Sequence, residues 1–363
     1  MSQQSNYCII MAGGIGSRFW PMSRTSYPKQ FHDILGTGST LLQQTFDRFL
    51  PLCPKENIYI VTNSQYKNLV MEQLPGIGED QILLEPSRRN TAPCIAYANH
   101  RIKLRDPDAV IIVAPADHLV LKESAFTATV QTAISQAQKT QNLITLGIKP
   151  SRPDTGYGYI QFTDTKDAVS ENVRKVKTFT EKPNIELARE FLKSGDFYWN
   201  SGIFIWTLES ISSAFKAHLP EIEELFENVT PQLNTPEEEV SIANVYSVCE
   251  SISIDYGVME KANNVNVVLS DFGWSDLGTW GSLFTHIKKD RENNAVVGKN
   301  VVIDQSSDNM VNVPSEKLVV IQGLSDFIVV DTDDVLLICP KEDEQKIKQI
   351  VNDLKVGKNA RFV

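Results

Sequence analysis

The 363-residue chain is 42% hydrophobic and 22% charged, too long for one small core, so one large domain and a smaller appendage are expected. Its 35 Lys and Arg against 45 Asp and Glu give a net charge of -10, which disfavours nucleic acid and anionic membrane as partners. Five scattered cysteines without a CxxC pair, no basic leader and no long apolar run point to a reduced, cytoplasmic setting without signal peptide or membrane span.

In chain order, short β-branched runs at Tyr7–Met11, Ile58–Thr62, Ile82–Leu84, Val110–Ala114 and Leu143–Ile148 alternate with helical stretches, which argues a parallel sheet. Leu41, Leu42, Phe46, Phe49 and Leu50 recur at helical spacing, as do Phe126, Val130, Ala133, Ile134 and Ala137. Another helix is expected over Ile185–Leu192, with Asn184 as its N-cap and Gly195 just past its end. After Ile287 the texture changes. Charged Lys288–Asn294 gives way to apolar runs at Val296–Val297, Val301–Ile303, Leu318–Ile321, Phe327–Val330 and Leu336–Ile338. These predict a large domain over 1–287 and a small β domain over 288–363, closed by an amphipathic helix from about Glu342 to Leu354.

Directly after the first run stands Ala12-Gly13-Gly14-Ile15-Gly16-Ser17-Arg18, where glycines let backbone N–H groups approach a polyphosphate. A tight turn without a ligand is the plain alternative. Two familiar phosphate motifs fail on spacing: Phe19 stands where GxGxxG needs its third glycine, and GxxxxGK[ST] is absent. Arg18 and Lys29 place two cations in one short segment, as triphosphate chemistry requires, although surface cations are usually just solvated. Asp117 follows the buried run Ala109–Val113, at the carboxyl end of a strand, where a hard cation can be held. The histidines lack HxxxH spacing, so zinc is not expected and His118 is read as structural or as a support for Asp117.

The run GGIGSRFWPMSRTSYPKQF is similar to the signature GGxGxRLWPxSRxxxPKxF of mannose-1-phosphate guanylyltransferases, within the wider sugar nucleotidylyltransferases, with Phe19 in place of Leu. Further blocks follow in family order as far as Trp280. The resemblance implies a Rossmann-like, GT-A-like α/β domain with a mixed sheet flanked by helices. It also implies a left-handed β-helix-like C-terminal domain suited to homodimer formation. On it, Arg18 and Lys29 fall on catalytic positions and Ala12, Gly13, Gly14, Gly16 and Ser17 on the nucleotide. Glu85–Pro93 resembles the base-and-ribose loop, with Arg88, Asn90 and Thr91 toward the nucleotide, although Asn90 or Thr91 would serve equally as a helix N-cap.

In Thr155–Ile160 the resemblance puts Gly156 and Gly158 close to the sugar and Tyr157 and Tyr159 as its walls. Glu181 and Lys182, in FTEKP, would meet sugar hydroxyls and the sugar phosphate; Asn200, in WNSGIF, another hydroxyl. Asp255 and Glu260, in SIDYGVME, would contact the sugar or buttress it. Asp276, in GWSDLGTW, would pair with Asp117 on Mg²⁺. The implied reaction is in-line attack by mannose 1-phosphate on the α-phosphorus of GTP, giving GDP-mannose and pyrophosphate. Two alternatives are a nucleotidylyltransferase for another base or sugar and a silent regulatory subunit that binds sugar nucleotides. Bifunctional relatives carry an additional isomerase domain; no histidine follows His286, so a monofunctional protein is expected.

Overall fold

The computed structural model describes residues 5–166 and 172–363, and these form two compact units. The first takes the chain up to Gly13, Thr45–Ala116 and Val120–Trp274; the second takes Gly14–Gln44, Asp117–Leu119 and Ser275–Val363. The strands in chain order are β1 (Asn6–Met11), β2 (Ile58–Asn63), β3 (Ile82–Glu85), β4 (Val110–Pro115), β5 (Leu119–Val120), β6 (Leu143–Ile148), β7 (Tyr159–Lys166), β8 (Val173–Thr180), β9 (Phe197–Thr207), β10 (Val265–Ser270) and β11 (Trp274–Ser275). The helices are α1 (Leu41–Phe49), α2 (Lys67–Gln73), α3 (Thr91–Lys103), α4 (Glu123–Thr140), α5 (Ile185–Ser194), α6 (Leu208–His218), α7 (Pro220–Val229), α8 (Glu238–Val248), α9 (Trp280–His286) and α10 (Lys346–Lys355).

The first unit is built on a sheet of order β3-β2-β1-β4-β9-β6-β10-β8-β7. Strands β1, β2, β3 and β4 run parallel, as do β6 and β10, but β9 lies antiparallel between β4 and β6. The sheet is therefore mixed, as the family resemblance implies, with the parallel strands that the alternation of strands and helices predicts on either side of β9. Strand and helix alternation reveals crossovers but not which strand is inserted between two others. Both faces of β1 are buried: Tyr7 and Ile9 join a core with Ile95 of α3 and Phe215 of α6, while Cys8 and Ile10 are 0% exposed on the other face. This is why these strands read as continuous apolar runs. Helix α5 starts and stops as its residues dictate: Asn184 accepts from the Leu187 N–H, and Gly195 ends it in the left-handed region with φ 79.

In the second unit the C-terminal strands are β12 (Ala295–Val297), β13 (Val301–Asp304), β14 (Met310–Asn312), β15 (Val319–Gln322), β16 (Phe327–Asp331) and β17 (Leu336–Pro340). Strands β12, β14 and β16 stack in parallel register, Ala295 beside Met310 and Met310 beside Ile328, and β13 pairs β15 in the same way. Met310–Asn312 is an additional strand; its three residues are too short a run to stand out from the sequence. Helix α10 begins at Lys346, after a 3₁₀ turn over Lys341–Asp343, later than the expected start at Glu342.

The apolar cluster of this unit joins Phe19, Trp20, Ile34 and Leu41 to Trp280, Leu283, Ala295, Met310, Ile328 and Ile347. The expected division at 287/288 therefore does not follow the packing. Side chains from the glycine-rich segment complete the core of the C-terminal strands, a long-range burial that no local texture reveals. No helix among the described residues is long and apolar enough to cross a membrane.

Candidate active site

In the second unit the segment from Gly14 to Lys29 folds back on itself. Gly16 takes φ 73, and the Lys29 N–H donates to the Ile15 carbonyl at 3.0 Å. Gln30 Nε2 donates to the Gly14 carbonyl at 3.1 Å, and Ser23 Oγ donates to that of Ile15. The turn expected to cradle phosphate is thus held by Ser23 and Gln30, two residues to which the sequence reading gave no role.

Lys29 is 3% exposed. Its Nζ lies 2.7 Å from Asp117 Oδ2 and donates to the carbonyls of Asp276 at 2.8 Å and Leu277 at 3.0 Å. Asp117 and Asp276, far apart in sequence, are therefore brought together around one ammonium. Burial alone would raise the Asp117 carboxyl; the charge of Lys29 and then His118, with the Lys29 hydrogen bond, more than offsets it and holds the group below its ordinary range. His118 Nε2 stands 4.0 Å from Asp117 Oδ1. Asp276 Oδ1 accepts from the Gly278 N–H at 3.0 Å. Arg18 Nε is buried with no hydrogen-bond partner among the described residues.

In the first unit, Ala12 extends β1 by donating its N–H to the Val61 carbonyl at 2.7 Å. Arg88 Nε donates to the Gly13 carbonyl at 3.1 Å and Nη2 to Tyr66 Oη at 2.9 Å, so the guanidinium braces the turn. Asn90, at φ 69, accepts from the Thr91 N–H at 3.0 Å and caps α3. Thr91 Oγ1 accepts from the Ile254 N–H at 2.8 Å, tying the start of α3 to the residue before Asp255. Asn90 thus carries the capping role weighed for the pair, whereas Thr91 does not cap the helix. Glu85, whose role the sequence left unread, is 5% exposed. Its Oε1 accepts from Tyr246 Oη at 2.9 Å, and a Cβ on Gly13 would stand 3.2 Å from its Oε2. Burial pushes this carboxyl up to about 7 against the Tyr246 hydrogen bond and Arg88.

A second group in the same unit gathers residues of β9, the turns flanking β7 and β8, and a π-turn over Asp255–Met259. Asn200 Nδ2 donates to Asp255 Oδ1 at 2.8 Å, while its Oδ1 accepts from Thr145 Oγ1 at 2.9 Å. The Asn200 N–H donates to the Gly158 carbonyl at 2.8 Å. A Cβ on Gly158 would collide with Glu181 Oε2, so that carboxylate would have to swing aside for any other residue. Glu181 accepts from Lys182 Nζ, and its N–H donates to Glu260 Oε1 at 3.0 Å. Burial, then the charge of Glu181, raises the Asp255 carboxyl to about 7. For Lys182, burial opposes the charge, but Glu181 and Asp255 outweigh it and raise the ammonium.

Tyr157 packs edge-on against Trp199 at 4.9 Å and Trp274 at 5.2 Å. Gly156 donates its N–H to Asp154 Oδ1 at 2.8 Å. Tyr159 is corrected: it is 0% exposed, packed on Phe191, with its hydroxyl accepting from the Asp154 N–H at 2.9 Å. It shapes the loop from beneath and walls nothing, because β7 already begins at that residue and turns its side chain into the core.

The mixed sheet with its flanking helices is the fold of a nucleotidyltransferase. Residues 7–293 match the Nucleotidyl transferase family model, and residues 298–354 match that of the MannoseP isomerase/GMP-like beta-helix domain. Mannose-1-phosphate guanylyltransferase of Escherichia coli strain K12 is 37% identical, covering 98% of this chain and 74% of its own length. That of Salmonella montevideo is 37% identical, with 96% and 74% covered. A crystal structure from Thermus thermophilus, named mannose-1-phosphate geranyltransferase, is 31% identical with a TM-score of 0.86 over 97% of this chain and 100% of its own. A Helicobacter pylori structure named mannose-6-phosphate isomerase is 29% identical with a TM-score of 0.60, covering 74% of this chain and 99% of its own. The chain belongs to the mannose-1-phosphate guanylyltransferase family.

Proposed function

We propose that this chain transfers GMP from GTP to α-D-mannose 1-phosphate, releasing pyrophosphate. The observation that carries the reading is the near-complete coverage by guanylyltransferase relatives at 37% identity, in a chain that keeps Lys29 on Asp117 and Asn200 on Asp255. A phosphate oxygen of the sugar substrate is the nucleophile. It bonds to the α-phosphorus of GTP as the bond to the β-phosphate oxygen breaks, so no side chain need remove a proton. Catalysis is then positioning and charge stabilisation.

Arg18 and Lys29 stabilise the pyrophosphate as its charge builds, and Lys182 holds the sugar phosphate. Glu181, Asn200 and Asp255 orient the sugar ring by accepting from and donating to its hydroxyls. Glu85 bears on the base: guanine offers N–H donors at N1 and N2, the complement of a carboxylate. Asp117 and Asp276 fit a magnesium ion. Asp117 Oδ2 and the Asp276 carbonyl both face Lys29 Nζ, which brings the two residues to one place, and no three His, Cys, Asp or Glu side chains among the described residues group as a metal cage. One or two carboxylates completed by substrate phosphates are the usual company of Mg²⁺. When bound, the ion would neutralise triphosphate charge. The five cysteines are free and buried, which supports a reducing, cytoplasmic setting.

The test is pyrophosphate release over a matrix of nucleoside triphosphates and sugar 1-phosphates. GTP with mannose 1-phosphate should give the highest kcat/KM. A higher value for another pair, or no release with any, overturns the reading.

A further inference from the structure

The far end of the Gly14–Lys29 segment is held by residues more than three hundred positions away in the chain. The Arg24 N–H donates to the Tyr27 carbonyl at 3.1 Å and the Tyr27 N–H returns to that of Arg24 at 3.2 Å, closing a turn just before Lys29. Arg24 Nε caps the Pro21 carbonyl at 3.0 Å. Its Nη1 donates to Asp334 Oδ2 at 2.9 Å, and its Nη2 donates to the other Asp334 oxygen and to Thr332 Oγ1 at 3.3 Å. Asp334 lies in the turn between β16 and β17, which Thr332 shapes by accepting from the Val335 N–H at 3.2 Å. Trp20 Nε1 donates to the Phe362 carbonyl at 2.7 Å, a second tie to the C-terminal region.

We propose that Asp334 is a positioning residue for the transfer reaction: through Arg24 it orients the turn that sets Lys29 on Asp117 and on the Asp276 carbonyl. This rests on the guanylyltransferase reading above. Two parallel N–H to oxygen bonds fix both the distance and the rotation of the guanidinium, which a single contact would not. The Arg24 side chain is 17% exposed, so losing its counter-charge leaves a mostly buried cation short of a partner. The lever is short. Arg24 closes a turn with Tyr27, Lys29 follows two residues later, and Lys29 bonds back to Ile15. A displacement of about 1 Å at a catalytic group can cost about 10²-fold in rate. The Asp334 side chain is 46% exposed and so partly screened, which makes the expected loss smaller, about threefold to tenfold in kcat.

The experiment compares the full-length wild type with Asp334→Asn, Asp334→Glu, Arg24→Gln and the double variant Arg24→Gln/Asp334→Asn. Lys317→Met serves as control, since Lys317 pairs with Asp331 at 2.7 Å in the same β region without touching the loop. Pyrophosphate release, Tm and amide exchange over residues 20–29 are measured. Asp334→Asn should lower kcat about threefold to tenfold with the mannose 1-phosphate KM within about twofold, and should speed exchange in residues 20–29. Asp334→Glu should keep most of the rate, the double variant should be no worse than Arg24→Gln, and Lys317→Met should change neither kcat nor exchange. A merely structural pair would lower Tm and leave kcat alone. That result, or single effects that multiply in the double variant, or unaltered exchange, overturns the proposal. A wild type inactive on every substrate pair would sink the functional reading instead, while exchange would still test the tether.

Discussion

Replacing Gly16 by alanine probes how the glycine turn places Lys29, the lysine proposed to stabilise the pyrophosphate. A Cβ there would stand 2.5 Å from Lys29 Cβ, 3.1 Å from Cδ and 3.2 Å from Cγ, and φ is 73. Ordinary contact begins near 3.4 Å, so about 1 Å must be made up. Holding an L-residue in the left-handed region costs about 1–2 kcal/mol, and overpacking costs about 1–3 kcal/mol more. If the backbone stands still, the fold loses about 2–5 kcal/mol and Tm drops by several degrees. If the turn yields instead, Lys29 shifts by about 1 Å and turnover falls about 10²-fold. Gly14→Ala is the comparator, because nothing lies within 4 Å of its Cβ position and its φ is not positive. Pyrophosphate-release kinetics and thermal melts on both variants decide the matter. Gly16→Ala with the turnover and Tm of the wild type would refute the reasoning.

The remaining expectations concern charge. Asp255 rises from an ordinary 3.8 to about 7, so the folded chain keeps a proton that the unfolded chain has released. Its contribution to stability therefore declines as pH climbs from about 4 to about 7, and Asp255→Asn should flatten the fall in Tm across that window. An unchanged slope would show that Asp255 is not the group responsible. Lys182→Ala should mainly raise the mannose 1-phosphate KM, whereas Lys29→Ala should mainly lower kcat; steady-state constants for both substrates separate them, and an unaltered sugar KM in Lys182→Ala would void its assignment. Asp117→Asn and Asp276→Asn should each slow turnover by roughly 10²- to 10⁴-fold and raise the Mg²⁺ needed for half-maximal rate; Asp117→Asn should also lower Tm, because it strips buried Lys29 of its counter-charge. Normal activity at low Mg²⁺ in either variant removes that residue from the ligand set.

Local rules carried the sequence a long way. The runs that became β1 to β4 and β6 were legible because strands buried on both faces must be continuously apolar, and α5 was legible to its caps because Asn184 and Gly195 act within a few residues of themselves. The ordered blocks around Gly14, Arg18, Lys29, Asp117, Asn200 and Asp276 carried the resemblance to the family to which the chain belongs.

What pairing and burial decide was out of reach. The insertion of β9 between β4 and β6, the union of Phe19 and Trp20 with the C-terminal strands, and the bond from Arg24 to Asp334 all join segments distant in the chain. Tyr157 and Tyr159 look alike in sequence, yet one keeps an edge at the surface and the other is sealed in the core. Glu85 and Asp255 are ordinary carboxylates until tertiary contacts strip their water and set Tyr246 or Glu181 beside them. A side chain's type is written in the chain; its dielectric surroundings and its neighbours exist only once the chain has closed on itself.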